Sequence, residues 1–257
     1  MSATMMVRAD LLKLRKRRGT LAWALVLALG PVIVFFAVRA IEHLSNPGQY
    51  GPAGGFEAFG DALRLLGVFF GPLAAILIGV EAGTGDHAAG VFRDLVVTGR
   101  SRLALFASRL PAAIALMWAI TTAGFLLVLI GVYAFASNLM TPDFGKVLDG
   151  YGFALLGTGV ICAVAVGFSS LSTSKPASIT ALIGWQLVAS PLVVQISALG
   201  GARKGLLTQA ITHFSPVFVG DRDNLVSMSA VLATIVLVCW LALFVGLGAW
   251  RTRNLDA

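Results

Sequence analysis

The sequence predicts an all-α, polytopic membrane protein, and three observations carry that prediction. Hydrophobic residues fill 58% of the 257 positions and charged residues only 12%, against about 45–50% and 25% in soluble domains. The apolar residues gather into six runs, each near the roughly 20 residues a helix needs to cross a bilayer core. Charges flank these runs instead of interrupting them.

Taken in order, the runs cover about 21–41, 62–80, 110–135, 151–171, 176–199 and 226–250. The first is too long for the core of a signal peptide and has no clear cleavage site, so it is expected to stay as a span. Residues 1–257 then form one transmembrane domain with no sizeable soluble part. Of the 19 basic residues, 13 fall on one side: Arg8, Lys13, Arg15, Lys16, Arg17, Arg18, Arg93, Arg100, Arg102, Arg109, Lys175, Arg251 and Arg253. The positive-inside rule places that side, both termini and residues 81–102 in the cytosol. Trp23 and Trp250 then lie near the inner interface, where indoles are favoured. The net charge of +7 is read as membrane-flanking charge that touches anionic lipid, which excludes a nucleic-acid partner. On the outer side, 43–61 is a Gly/Pro-rich irregular connector and 136–150 a short polar one. Residues 206–220 are mostly apolar but too few to span, and predict a re-entrant or interfacial helix.

Small residues predict how the spans pack, because helices in lipid associate through close approach. Gly67, Gly71, Ala75 and Gly79 form a ridge on span 2, and Gly159, Ala163 and Gly167 repeat the four-residue spacing on span 4. Pro31, Pro72 and Pro191 interrupt spans 1, 2 and 5 and permit kinks. Span 5 is the most polar, with Gln186, Ser190 and Ser197 on roughly one face and Gln195 opposite. These three could line a path or bond neighbouring helices. Cys162 and Cys239 each lie in an apolar run and read as packing residues.

Much chemistry is missing. No lysine sits in a Gly-x-x-x-x-Gly-Lys-[Ser/Thr] loop, so the chain has no such cradle for ATP. His43, His87 and His213 are scattered without metal-ligand spacing, and no serine occupies a nucleophile elbow. No metal, cofactor or catalytic residue is therefore assigned. Span interiors hold almost no ionisable residues; Glu81 stands at the inner end of span 2, and Arg39 snorkels outward from the end of span 1. That scarcity disfavours a proton-coupled carrier.

Residues 81–102 are the exception among the short connectors. Gly83 and Gly85 are expected to break span 2. Residues 88–97 can form a short amphipathic helix, with Val91, Phe92, Leu95 and Val96 on its apolar face and Arg93 and Asp94 as polar contacts. Thr98-Gly99 ends it, and Arg100 and Arg102 lead into span 3. By residue chemistry alone this is either a partner-docking helix or a connector resting on the membrane surface.

A Glu at a span end, then Gly83-Thr84, a short amphipathic helix, the Ser101-Arg102 pair and another span resembles the membrane subunit of type-2 ATP-binding-cassette exporters. The resemblance extends over the chain. The basic, amphipathic stretch from Val7 to Arg18 is similar to that family's interfacial N-terminal helix (about 1–20 here), and residues 206–220, with Ser215-Pro216 just before the last span, look like its outer re-entrant element. Residues 250–256 are similar to its short basic ending. It departs from the family in having Thr98-Gly99-Arg100 before the Ser-Arg pair, where many members have Pro, and Arg109 where many have Lys.

The resemblance implies that Glu81, Gly83, Thr84, Val91, Phe92, Arg93, Asp94, Leu95, Arg100 and Arg102 form the coupling region for a separate cytosolic ATPase, present in two copies and carrying the ATP and Mg. It also implies a second permease chain, identical or related, and a plasma-membrane location. The excess of Arg over Lys (14 to 5) suggests a bacterial source. The rival expectations are an ATP-independent carrier or channel, and a non-transporting scaffold or signalling subunit. An intramembrane enzyme is disfavoured by the missing constellations.

Overall fold

A computed structural model describes residues 3–88, 101–172, 174–216 and 226–254. Among these the chain is all-helical, and six helices are long and apolar enough to cross a membrane. The chain is a multi-pass membrane protein. Helix α1 (Ala3–Lys16) precedes α2 (Arg18–Ser45), which is span 1. Span 2 joins α3 (Gly55–Arg64) to α4 (Phe70–Ala88) through a π-helical turn at Leu65–Phe69. Spans 3 and 4 are α5 (Arg102–Ala134) and α6 (Phe144–Leu171). Span 5 joins α7 (Lys175–Gly184) to α8 (Ser190–Gln195) through a second π turn at Trp185–Ala189. A 3-10 segment (Ser197–Gly205), the short α9 (Leu207–Thr212) and α10 (Ala230–Asn254), which is span 6, complete it.

The helices outrun the hydrophobic runs. Span 2 starts at Gly55, so the expected irregular connector ends seven residues earlier than its sequence suggests. Gly55 makes that start with φ +87°, and the Gly54 and Phe56 N–H groups donate to the carbonyls of Phe135, which caps span 3, and of Met140 in the connector after it. Glycine tolerates this backbone conformation without steric cost. At the other end, α4 continues to Ala88, so Gly83 and Gly85 do not break span 2. Gly83 lies so close to Val166 and Ser169 of span 4 that an added Cβ would stand 2.7 Å from the Val166 carbonyl oxygen. Tight packing there outweighs the roughly 1 kcal/mol that glycine costs a helix. Span 3 begins at Arg102, which puts Arg109 two turns inside the helix rather than beside it. Span 5 ends at Gln195 and Ile196 is extended, so Ser197 leaves the span and shares no helical face with Gln186 and Ser190.

Spans 2 and 4 form the centre of the bundle. In their most apolar windows 67% and 72% of residues are buried, against 44% in span 3 and only 22%, 17% and 17% in spans 1, 5 and 6. Span 4 packs against spans 2, 3 and 6, span 1 against spans 2 and 3, and α1 lies along span 3. The small residues of span 2 meet span 4: a Cβ on Gly67 would stand 2.6 Å from the Phe153 ring, one on Gly71 3.1 Å from Thr158, and one on Gly79 2.6 Å from Ala165. Ala75 is fully buried between them. On span 4 the neighbours change along the helix. Gly159 faces Trp118 of span 3, while Gly167 backs onto the main chain of Phe244 in span 6, with Ala163 buried between. Eight residues turn an α-helix about 80° past whole turns, so one four-spaced series serves two partners. Between spans 3 and 4, Thr121 and Thr158 share a hydrogen bond of 3.0 Å and Trp118 Nε1 donates to the Leu155 carbonyl at 2.9 Å.

Candidate functional site

One end of the bundle concentrates the chain's buried charge. Helix α1 stops where Arg17 leaves helical geometry (φ −77°, ψ 69°), and span 1 starts at Arg18. That bend puts the Arg17 side chain and Thr20 over the C-terminal end of span 2. Glu81, only 5% exposed, accepts there from three groups. Arg17 Nε lies 3.3 Å from Oε1, Thr20 Oγ1 donates to Oε2 at 2.9 Å, and Lys175 pairs with Oε2. Lys175 opens span 5, where Ser174 caps the helix by accepting from the Ala177 N–H. A carboxylate this buried is retained because cations and a hydroxyl replace its lost water. Glu81 therefore ties together the α1–span 1 bend, span 2 and the start of span 5.

A second tie lies beside it. Arg109 is 3% exposed and its Nη1 donates to the Gly83 carbonyl at 3.4 Å. Next to it, Ser108 Oγ donates to Asp10 of α1 at 2.6 Å, and Asp10 also pairs with Lys13 at 3.2 Å. Val7, Leu11 and Leu14 turn one face of α1 toward the core, so α1 is held to span 3 by an apolar stripe and a polar latch. Thr84 is buried and spends its hydroxyl on the Val80 carbonyl at 2.8 Å. Arg102 opens span 3, behind Ser101, which caps the helix by accepting from the Ala104 N–H at 3.2 Å.

Of the ten residues expected to form the coupling region, Glu81, Gly83, Thr84 and Arg102 are thus located. Val91, Phe92, Arg93, Asp94, Leu95 and Arg100, and with them the expected helix at 88–97, fall outside the described residues beyond Ala88. Seven residues, about two helical turns, separate Glu81 from Ala88.

The polar residues of span 5 lie deeper. Pro72 has no N–H for the Val68 carbonyl four residues earlier, and Gln186 Nε2 donates to that carbonyl at 3.4 Å. The two π turns therefore face each other across spans 2 and 5. Ser190 is buried and bonds Thr208 of α9 at 2.6 Å, whereas Ser197 is exposed in the 3-10 segment. Helix α9 packs against span 6, and just ahead of it the Gly205 carbonyl accepts from Trp240 Nε1 at 2.9 Å. Among the described residues no cluster of three or more His, Cys, Asp or Glu side chains could hold a metal ion.

Sequence reasoning singled out Glu81 and missed its partners. Arg17, Thr20 and Lys175 lie 61 to 94 positions away, or before the first apolar run. The usable signal was a lone carboxylate at a span end on the side rich in cations. Pro72 and Pro191, expected to permit kinks, each lie just past a π turn. No protein-family model matches this chain, and no curated protein matches it either.

Proposed function

We propose that this chain is the membrane-spanning permease subunit of an ATP-driven exporter of the type-2 ATP-binding-cassette class, coupled to a separate cytosolic ATPase. The observation that carries this reading is the bracketing of residues 89–100. Glu81 and Gly83 fasten the helix that enters the segment, and Arg109 fastens the helix that leaves it to the same point. A force applied to such a segment cannot be absorbed by its two flanking helices independently. It reaches α1, span 1 and span 5 through Glu81.

In this reading Val91, Phe92 and Leu95 seat in the ATPase, with Arg93 and Asp94 fixing register. Arg100 and Arg102 add charge at the exit. ATP and Mg act on the partner, and nucleotide-driven closure of two ATPase subunits biases the bundle between inward-open and outward-open states. Two permease chains, identical or related, enclose the path, and the Glu81 end faces the cytosol of a bacterial plasma membrane. The clustering of Arg17, Arg109 and Lys175 at that end agrees with the positive-inside rule. Helix α9 serves as the outer re-entrant element; the Thr208 bond to Ser190 of span 5 and its packing against span 6 support that role. Gln186 and Ser190 border the path.

The test is purification from the native host in mild detergent. A Walker-type ATPase should co-purify and hydrolyse ATP; its repeated absence would leave the ATP-independent carrier as the better reading. Cysteines placed at 186 and 190 should react with a water-soluble thiol reagent in at least one nucleotide state. Protection in every state would remove Gln186 and Ser190 from the path.

A further inference from the structure

Spans 2, 4, 5 and 6 leave a cavity of about 320 Å³ between them. Its wall is aromatic and continuous: Trp185 of span 5 lies 6.0 Å from Trp240 of span 6, Trp240 stacks on Phe244 at 5.4 Å, and Phe244 meets Phe168 of span 4 at 5.8 Å. Ile161 and Leu182 add aliphatic surface, and Leu207 of α9 contributes the last of it. The Trp240 N–H is already committed to the Gly205 carbonyl, so that ring offers the cavity only apolar surface. An ordered water needs two to four polar partners, and this lining does not supply them.

One side-chain amide breaks the pattern. Gln186 lines the cavity and also a smaller void beside Val68, Thr208 and Thr212. Its Nε2 donates to the Val68 carbonyl, which fixes the amide so that Oε1 remains an acceptor with no partner among the described residues. A site with aromatic and aliphatic walls and one oriented acceptor has the make-up of a small-molecule pocket.

We propose that this cavity binds a medium-chain, single-chain amphiphile, a fatty alcohol or undissociated fatty acid. Its O–H donates to Gln186 Oε1 and its chain lies along the Trp185–Trp240–Phe244 wall. The cavity volume is many times that needed for a single water, enough for a medium-length alkyl chain. The site lies in a different part of the bundle from Glu81 and requires no ATPase.

The test uses the purified full-length chain in detergent and a ten-carbon alcohol carrying a diazirine. Photolabelling should saturate and map to the cavity at Leu182, Leu207 and Phe244. Unlabelled decanol should compete about tenfold better than decane, the difference expected for one net hydrogen bond. Gln186→Leu, which keeps the volume, should erase that preference. Val164→Trp, which fills the cavity from buried span 4, should lower labelling at least tenfold in protein that still elutes as a single peak. Labelling spread evenly over the lipid-facing Val188 and Ile235 would overturn the proposal, as would equal competition by decane and decanol in the wild type. The mapping and competition in the wild type decide the matter even if a variant fails to fold.

Discussion

Spans 2 and 4 and spans 5 and 6 are built from similar amounts of hydrophobic sequence and pack in opposite ways. The first pair is joined through glycine and alanine, with backbones close enough that a single added carbon would collide. The second pair is separated by large rings and keeps a cavity behind them. The most hydropathic windows belong to spans 1 and 6, which are among the least buried. Lipid removes any advantage of burying leucine against leucine, so small residues, not greasy ones, decide which helices become the interior. The spans 2 and 4 seam is thereby close-packed while spans 5 and 6 leave space between them, and Lys175 binds the start of span 5 to Glu81 on span 2.

The largest effect expected from breaking this contrast comes from overfilling the close-packed half. Gly79→Leu puts a side chain where a Cβ alone would lie 2.6 Å from both Ala165 and the Cys162 carbonyl. It should cost about 3 kcal/mol or more and deplete folded protein in detergent. Gly184→Leu, on span 5 with nothing within 4 Å of its Cβ position, should change stability by under about 1 kcal/mol. Equal losses in thermal unfolding would contradict the division into a tight and a loose half. Next comes Glu81→Gln, which leaves Lys175 and Arg17 without their counter-charge. Both cations are partly exposed, at 33% and 53%, so solvent screens them and the loss should be about 1–2 kcal/mol. Under the proposed function, the same substitution should uncouple a partner's ATP hydrolysis from transport; transport at the wild-type ratio to hydrolysis would remove Glu81 from that role.

These predictions rest on features of unequal legibility. The number and order of spans follow from apolar runs, since a bilayer admits little else. Span ends were less readable, because helices continue through polar and glycine-bearing turns wherever packing or a cap rewards them. The start at Gly55 depends on carbonyls of Phe135 and Met140, and the passage through Gly83 depends on Val166 and Ser169. No local pattern encodes either. The polar face expected from Gln186 to Ser197 assumed an unbroken α-helix. A π turn at Trp185–Ala189 and the extended Ile196 broke that assumption. Glu81 stood out as a carboxylate at a span end, but its role as a three-way tie exists only once span 1, span 2 and span 5 are brought together.

A smaller effect sharpens the picture of the interior. Thr121→Val removes the Thr121–Thr158 bond, yet Thr158 keeps its bond to the Ala154 carbonyl at 2.7 Å. The loss should be near the average of about 0.6 kcal/mol for such bonds in membranes, read as a small drop in unfolding midpoint. A loss of several kcal/mol would mean that hydroxyls, and not small residues, hold spans 3 and 4 together.

The most direct test of the coupling proposal is the yield of ATPase recovered with the purified chain. It compares wild type with a Phe92→Glu/Leu95→Glu double variant and with Ile235→Glu, exposed on span 6, as a control. The account predicts that the double variant, still inserted and monodisperse, recovers no ATPase, while any Ile235→Glu protein that inserts recovers it as wild type does. ATPase retained at the wild-type ratio by the double variant would contradict a docking role for residues 89–100.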